Sequence, residues 1–272
     1  MTPSPARTDR RNRLLAARLA AALLALTVLA GAWLAAPARA QTSAGTSPDD
    51  AQAVLDATID NLRGLSERAT LELTVERPGR TVHYTMDVIS DGDERSLLRV
   101  TAPPQEAGQA FLSIGSNLLV YSPRLGRSLR LPPSGRSNAF LGSDLAYDDL
   151  AGGEYRDQYS ATITGREAGT IALDLVPKPE APTPYGKLVF VVAADSYAPH
   201  SLTFFDQRGN AVKRLTFSDF QAVDGRTIPQ RFEVADLLKD GYRTSAAYRN
   251  ASFGLAIPER CFSEAALERG CF

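Results

Sequence analysis

Residues 70–90 read TLELTVERPGRTVHYTMDVIS. Leu71, Leu73 and Val75 alternate with polar residues, the chain turns at Pro78-Gly79, and Val82, Tyr84, Met86 and Val88 alternate on the way back. A period of two on either side of a glycine turn predicts a β-hairpin with one apolar face. The pattern extends outward. SLLRVTAPP adds Leu98 and Val100 to that face and is ended by Pro103-Pro104, and AFLSIGSNLLVYSP turns at Gly115-Ser116-Asn117. The stretches 127–131, 159–177, 186–220 and 226–248 alternate in the same way, joined by turns rich in Gly, Asp or Asn. We count about 11 strands, 13 at most.

One segment breaks the pattern. In SPDDAQAVLDATIDNLRG (47–64), Val54, Leu55, Thr58, Ile59 and Leu62 form one apolar stripe at helical spacing. Ser47 is placed to cap, Pro48 suits the first helical position, Asp49 and Asp50 suit the positive end of the dipole, and Gly64 ends the helix. No βαβ unit occurs, so the fold class is α+β and mainly β, with an antiparallel sheet. So many strands do not stay flat, because twist accumulates. We therefore expect a highly curved sheet, with the N-terminal helix available as a cover. Its concave face either packs solid or holds a ligand, and alternation does not distinguish the two.

The N-terminus carries Arg7, Arg10, Arg11 and Arg13, then an apolar run from Leu14 to Ala36 broken only by Arg18, then Ala38-Arg39-Ala40. This predicts a signal peptide over 1–40, cleaved before Gln41, with an exported, soluble product in an oxidising compartment. A permanent membrane anchor is the rival reading. Residues 41–47 read as a flexible linker and 48–272 as a single domain. Of 30 basic and 31 acidic residues, cleavage leaves 24 and 30, a net charge of −6. That balance argues against a nucleic-acid partner. Cys261 and Cys271 are the only cysteines and, in an exported chain, a disulfide candidate.

Residues 138–150, NAFLGSDLAYDDL, place Asp144, Asp148 and Asp149 within six positions. An acidic cluster of this kind is a site, a metal cage or a fastening. Only His83 and His200 are available as a base, and neither lies in a catalytic motif. No G-x-S-x-G elbow surrounds Ser143, and neither a zinc nor an EF-hand pattern occurs. No cofactor or metal is expected. The segment reads as a loop and helical turn capped by Ser143 or Asp144, with Phe140, Leu141, Leu145 and Leu150 inward and the acids in water.

With its surroundings, the segment resembles the outer-membrane lipoprotein-sorting family, the LolA-like periplasmic carriers. The resemblance lies in P-P-x-x-x-G-x-A-F-L, in L-V-Y-x-P with Tyr121 and Pro123, in R-x-x-R-S-L-R, and in F-L-G-S-D-L-x-Y-x-D-L. It covers most of residues 48–250. Val120 departs from the tryptophan-containing variant of many relatives, and the cysteine tail falls outside the match.

The resemblance implies a half-open, highly curved antiparallel β-barrel of about 11 strands, covered by the N-terminal helix and short lid segments, whose cavity shields the acyl chains of a lipoprotein or lipid, carried as a monomer from an inner-membrane transporter to an outer-membrane acceptor. The lining would comprise Leu71, Leu73, Val75, Val82, Tyr84, Met86, Val88, Leu98, Val100, Phe204, Phe217 and Phe232. Two other classes stay open, a sensor domain that binds a protein partner and a hydrolase using Asp144 and Asp148.

Overall fold

The structure, a computed structural model, describes residues 50–92, 94–150, 155–181 and 183–271. The expected signal peptide, linker, Ser47 cap and Pro48 lie outside these residues. So do the side chains of Asp148 and Leu150.

The chain begins with α1 (Ala51–Arg63). Asp50 is its cap, and its carboxylate accepts from the backbone N–H groups of Gln52 and Ala53. Val54, Leu55, Thr58 and Ile59 are buried, as the stripe requires, and Leu62 is partly buried. Gly64 ends the helix with φ −73°, so no left-handed turn requires a glycine there. The requirement is space. A Cβ at Gly64 would lie 1.8 Å from the Arg226 guanidinium, which donates to the Asp60 carbonyl at 2.7 Å.

Thirteen antiparallel strands follow. Six precede the helical turns of the middle of the chain, namely β1 (Ser66–Arg77), β2 (Arg80–Asp91), β3 (Arg95–Ala102), β4 (Ala110–Ile114), β5 (Asn117–Ser122) and β6 (Arg127–Arg130). Short turns α2 (Pro133–Arg136), α3 (Tyr147–Leu150) and α4 (Tyr155–Gln158) come next. The remaining strands are β7 (Tyr159–Glu167), β8 (Thr170–Pro177), β9 (Lys187–Ala193), β10 (Pro199–Phe205), β11 (Ala211–Val223), β12 (Arg226–Asp236) and β13 (Arg243–Phe253). The chain ends in α5 (Glu264–Arg269).

All thirteen belong to one sheet, in the order β6-β5-β4-β3-β2-β1-β13-β12-β11-β10-β9-β8-β7. The count is thirteen, the upper end of the expected range. The sheet is not closed into a barrel, because β6 and β7 are its two edges and do not pair. It consists of two meanders joined where β1 pairs with β13. The chain between β6 and β7 must therefore travel from one edge to the other, and it does so across the face that α1 also covers. We call this the inner face.

Register fixes which side chains share it. Leu71 pairs with Met86, Leu73 with Tyr84, Val75 with Val82, Val88 with Leu98, and Met86 with Val100. These join residues from β8–β12, including Leu173, Phe190, Phe204 and Val234, in one large core. The outer face carries a smaller core, in which Ile89, Leu97, Ala110 and Leu112 are covered by Phe262, Ala266 and Leu267 of the C-terminal tail. Cys261 and Cys271 are disulfide-bonded and close that tail. Arg99 reaches under it and donates to the Leu267 carbonyl at 2.7 Å.

Candidate functional site: a cavity under the crossing segment

The crossing segment is held by its acids. Asp144 accepts from Arg77 at 3.0 Å and from the Thr244 hydroxyl at 2.8 Å, while its own backbone N–H donates to that hydroxyl at 3.0 Å. Its side chain is 6% exposed. Asp149 accepts from Lys213 Nζ at 2.8 Å and from the Ala146 N–H at 2.7 Å. The expectation that the acids face water is overturned for Asp144 and Asp149, because each is tied to a cation on the sheet. Ser143 accepts from the Leu145 N–H, and neither histidine is among its partners. The acids fasten the segment, which answers the question their clustering raises. Among the described residues no group of three or more His, Cys, Asp or Glu is arranged to hold a metal ion.

Carbonyl groups are used as fastenings too. Leu141 and Gly142 adopt left-handed φ values of 49° and 71°, which turns their carbonyls toward the sheet. Tyr84 donates to the Leu141 carbonyl at 3.2 Å and Arg77 to that of Gly142 at 2.7 Å. Phe140 is fully buried between Phe111 and Tyr147, with ring centroids 4.9 and 5.7 Å away. On the helix side, Arg63 donates to the Asp149 carbonyl at 3.0 Å, Arg156 binds Asp60, and Asn61 bridges the Ser196 carbonyl and the Thr227 N–H.

Lys213 is the most enclosed cation of this set. Its amine sits 4.3 Å from the Phe204 ring centroid and 5.4 Å from that of Tyr185. Burial pushes the amine down, but the charge of Asp149, Tyr185 and their hydrogen bonds outweigh it and hold it above its ordinary range.

Between these fastenings and the inner face lies a cavity of about 180 Å³. Of the twelve residues expected to line it, Leu71, Leu73, Val88, Leu98, Phe217 and Phe232 do so, together with Phe140 and Leu145 of the crossing segment. Val75, Val82, Tyr84, Met86, Val100 and Phe204 belong instead to the packed core beside it. Leu141 is partly buried against that core. Part of the inner face is therefore packed, and a pocket is open at the α1 end.

That end is polar, a feature the sequence reading missed. Arg63, Glu67, Ser90, Ser96, Ser113 and Tyr248 all line it. Burial pushes the Glu67 carboxyl up to about 7, against the lowering effect of Arg63. Burial also raises the Tyr248 phenol, and the nearby Glu67 adds to this.

A family model whose description is "uncharacterized protein", with the qualifier "-like", matches residues 92–269. The chain belongs to that family. No curated protein matches the sequence. The fold is that of solved LolA-superfamily proteins. A LolA superfamily protein from Nitrosomonas europaea is 23% identical with a TM-score of 0.68, over 79% of this chain and 98% of its own. An outer membrane lipoprotein-sorting protein domain from Vibrio parahaemolyticus is 22% identical with a TM-score of 0.72, over 82% and 100%. A DUF1329 family protein from Desulfovibrio piger is 21% identical, also at 0.72, over 80% and 99%. A LolA-like fold, as the sequence resemblance implies, is thus shared over nearly the whole length of these neighbours.

Proposed function

We propose that the protein is a periplasmic carrier that binds an acyl chain of a lipid or lipoprotein in the inner-face cavity. It would receive this cargo from an inner-membrane transporter and pass it to an outer-membrane acceptor. The observation that carries the reading is the cavity itself, an apolar space walled by both meanders and roofed by α1 and the crossing segment. The LolA-superfamily fold supports it.

Magnitudes limit the cargo. A cavity of about 150 Å³ holds one benzene molecule, so 180 Å³ takes roughly seven carbons. At ~0.8 kcal/mol per buried CH2, such a segment contributes on the order of 5 kcal/mol, a Kd near ~0.2 mM before other contacts. A multi-chain lipoprotein anchor enters only if the fastenings of the crossing segment open. The test is mass spectrometry of ligands extracted from the purified exported protein, with displacement of a fluorescent fatty acid as the binding assay. Recovery of acyl-chain compounds that compete with the probe is the expected result. Empty protein that ignores the probe refutes the reading.

A further inference from the structure

The polar end of the cavity is a single row of the sheet. Glu67 on β1 pairs with Ser90 on β2, Ser90 with Ser96 on β3, and Ser96 with Ser113 on β4. All four line the cavity. The next row on the same face is Ala69, Val88, Leu98 and Phe111, and the one beyond is Leu71, Met86 and Val100. Each row is two residues, ~7 Å, further along the strands. The wall is therefore amphipathic along its length, with one polar row at the end and apolar rows beneath it.

The polar row is not consumed by the protein. Ser90 is occupied, donating to the Gly92 carbonyl at 2.7 Å. The Ser96 and Ser113 hydroxyls and the Glu67 carboxyl have no hydrogen-bond partner among the described residues, although Ser113 is buried. Arg63 spends one nitrogen on the Asp149 carbonyl and has no carboxylate within ion-pair distance among those residues. Two hydroxyls, a carboxyl and a guanidinium, accessible from the cavity and with hydrogen-bonding capacity unspent, converge where a polar ligand atom can meet them.

We propose that this row is the headgroup site for the carboxylate of a single-chain amphiphile, a fatty acid of medium length, bound with uptake of one proton shared between that carboxylate and Glu67. The inference rests on the acyl-cavity reading and deepens it. Ser96 and Ser113 donate hydrogen bonds, Arg63 supplies positive charge, and protonated Glu67 donates its O–H. Two adjacent carboxylates do not both ionise, so they hold one proton between them.

The surroundings make that proton available near neutrality, since burial already holds the Glu67 carboxyl near 7. The other charged groups of this cavity are Asp60 and Arg63 on the helix side, Glu94 and Arg95 at the start of β3, and Asp149 of the crossing segment, with the Tyr248 phenol on β13. Asp60 binds Arg156, Arg95 binds Asp91 and Glu259, and Asp149 binds Lys213. Glu94 is exposed to solvent, so Glu67 is the enclosed carboxyl at this end left to meet the ligand.

The experiment compares octanoate with octan-1-ol as competitors of a fluorescent fatty-acid probe, at about pH 6 and about pH 8.5, where a carboxyl titrating near 7 changes from mostly protonated to mostly ionised. Octanoate is expected to bind at least about tenfold more weakly at the higher pH, and octanol equally at both. Glu67→Gln should flatten the octanoate pH dependence. Ser113→Ala should weaken octanoate about fivefold while leaving octanol unchanged. Calorimetry at about pH 8.5 in two buffers of different ionisation enthalpy should register uptake of close to one proton, against little at about pH 6, where Glu67 already holds it. If octanol competes as well as octanoate at both pH values, or if the pH slope survives Glu67→Gln, the headgroup site is overturned and the acyl cavity stands. If neither compound competes, both readings fall together.

Discussion

Lys213 of β11 and Asp149 of the crossing segment form an ion pair, Nζ to Oδ2 2.8 Å, in which the two side chains are 9% and 12% exposed. One charge belongs to the sheet and the other to the strap that crosses it. Removing either partner strands the other in a low-dielectric site, which typically costs ~3–5 kcal/mol, whereas replacing both by apolar groups is often neutral. Lys213→Met is therefore expected to lower stability by about 3 kcal/mol in a denaturant titration. The double variant with Asp149→Leu should recover most of it, and a fully additive double variant would show that the pair is not a unit.

Asp144 offers a second test of the same segment. It meets Arg77 and Thr244, with no nucleophile and base beside it. Asp144→Asn keeps the size but weakens both contacts, so a loss of ~1–3 kcal/mol in chemical denaturation is expected. The hydrolase reading gains only if a normally folded Asp144→Asn protein loses a measured turnover.

The division of the inner face into packed and open regions separates two neighbouring positions. Met86 is fully buried and does not line the cavity, whereas Val88 does. Met86→Glu should abolish cooperative unfolding, because an unpaired charge in a solid core costs several kcal/mol. Val88→Glu should leave a folded protein that binds a fluorescent fatty acid at least tenfold more weakly, ~1.4 kcal/mol. Thr85→Glu, on the opposite face, should change neither. Equal behaviour of the Met86 and Val88 variants in thermal melts would contradict this division.

Stability should also respond to pH through Glu67. Its folded-state carboxyl is raised from 4.5 to about 7, so the folded chain holds a proton that the unfolded chain has lost. The sign is therefore negative. Stability falls as pH rises from about 4.5 to about 7 and is flat beyond, by up to ~3 kcal/mol at ~1.4 kcal/mol per unit. Glu67→Gln should stabilise the protein at about pH 8 and not at about pH 4, as read from melting temperatures across that range. A gain that is the same at both ends would assign the effect to packing.

The C-terminal tail lies on the face opposite the cavity. Cys261 and Cys271 close a loop of sequence separation 10. Replacing both with serine is expected to cost ~3 kcal/mol of tail stability by loop entropy. Hydrogen exchange should increase in residues 257–271 while probe binding stays unchanged. Lost probe binding would mean that the tail supports the cavity through the sheet.

Much of this architecture was legible from residues 70–90. Strict alternation identified the hairpin, its inward face and, by extension, the other strands, because a half-buried sheet requires it. The stripe of α1 was equally clear. What alternation does not encode is which strand lies beside which across a long gap, so the pairing of β1 with β13 and the open edges were not available. The same limit hid the headgroup row. Glu67, Ser90, Ser96 and Ser113 each sit at an inward position of their own strand, but only register places them side by side. The acids of the crossing segment were read as solvated because their cations, Arg77 and Lys213, lie 67 and 64 residues away in sequence.

The seam between the two meanders has a consequence for how the molecule is made. Glu72 of β1 and Arg249 of β13 meet across 177 residues. Contacts this remote form late, since a long loop must close before any pairing rewards it. Until Arg243–Phe253 arrives, the twelve residues of β1 are an open edge with an apolar flank, a template for pairing with another chain. The middle of the finished sheet is thus the last part to be assembled. A chain stopped before Arg243 would carry one complete half-sheet and one lacking its last strand, with an unguarded border between them and the cavity wall open where Tyr248 and Phe253 belong.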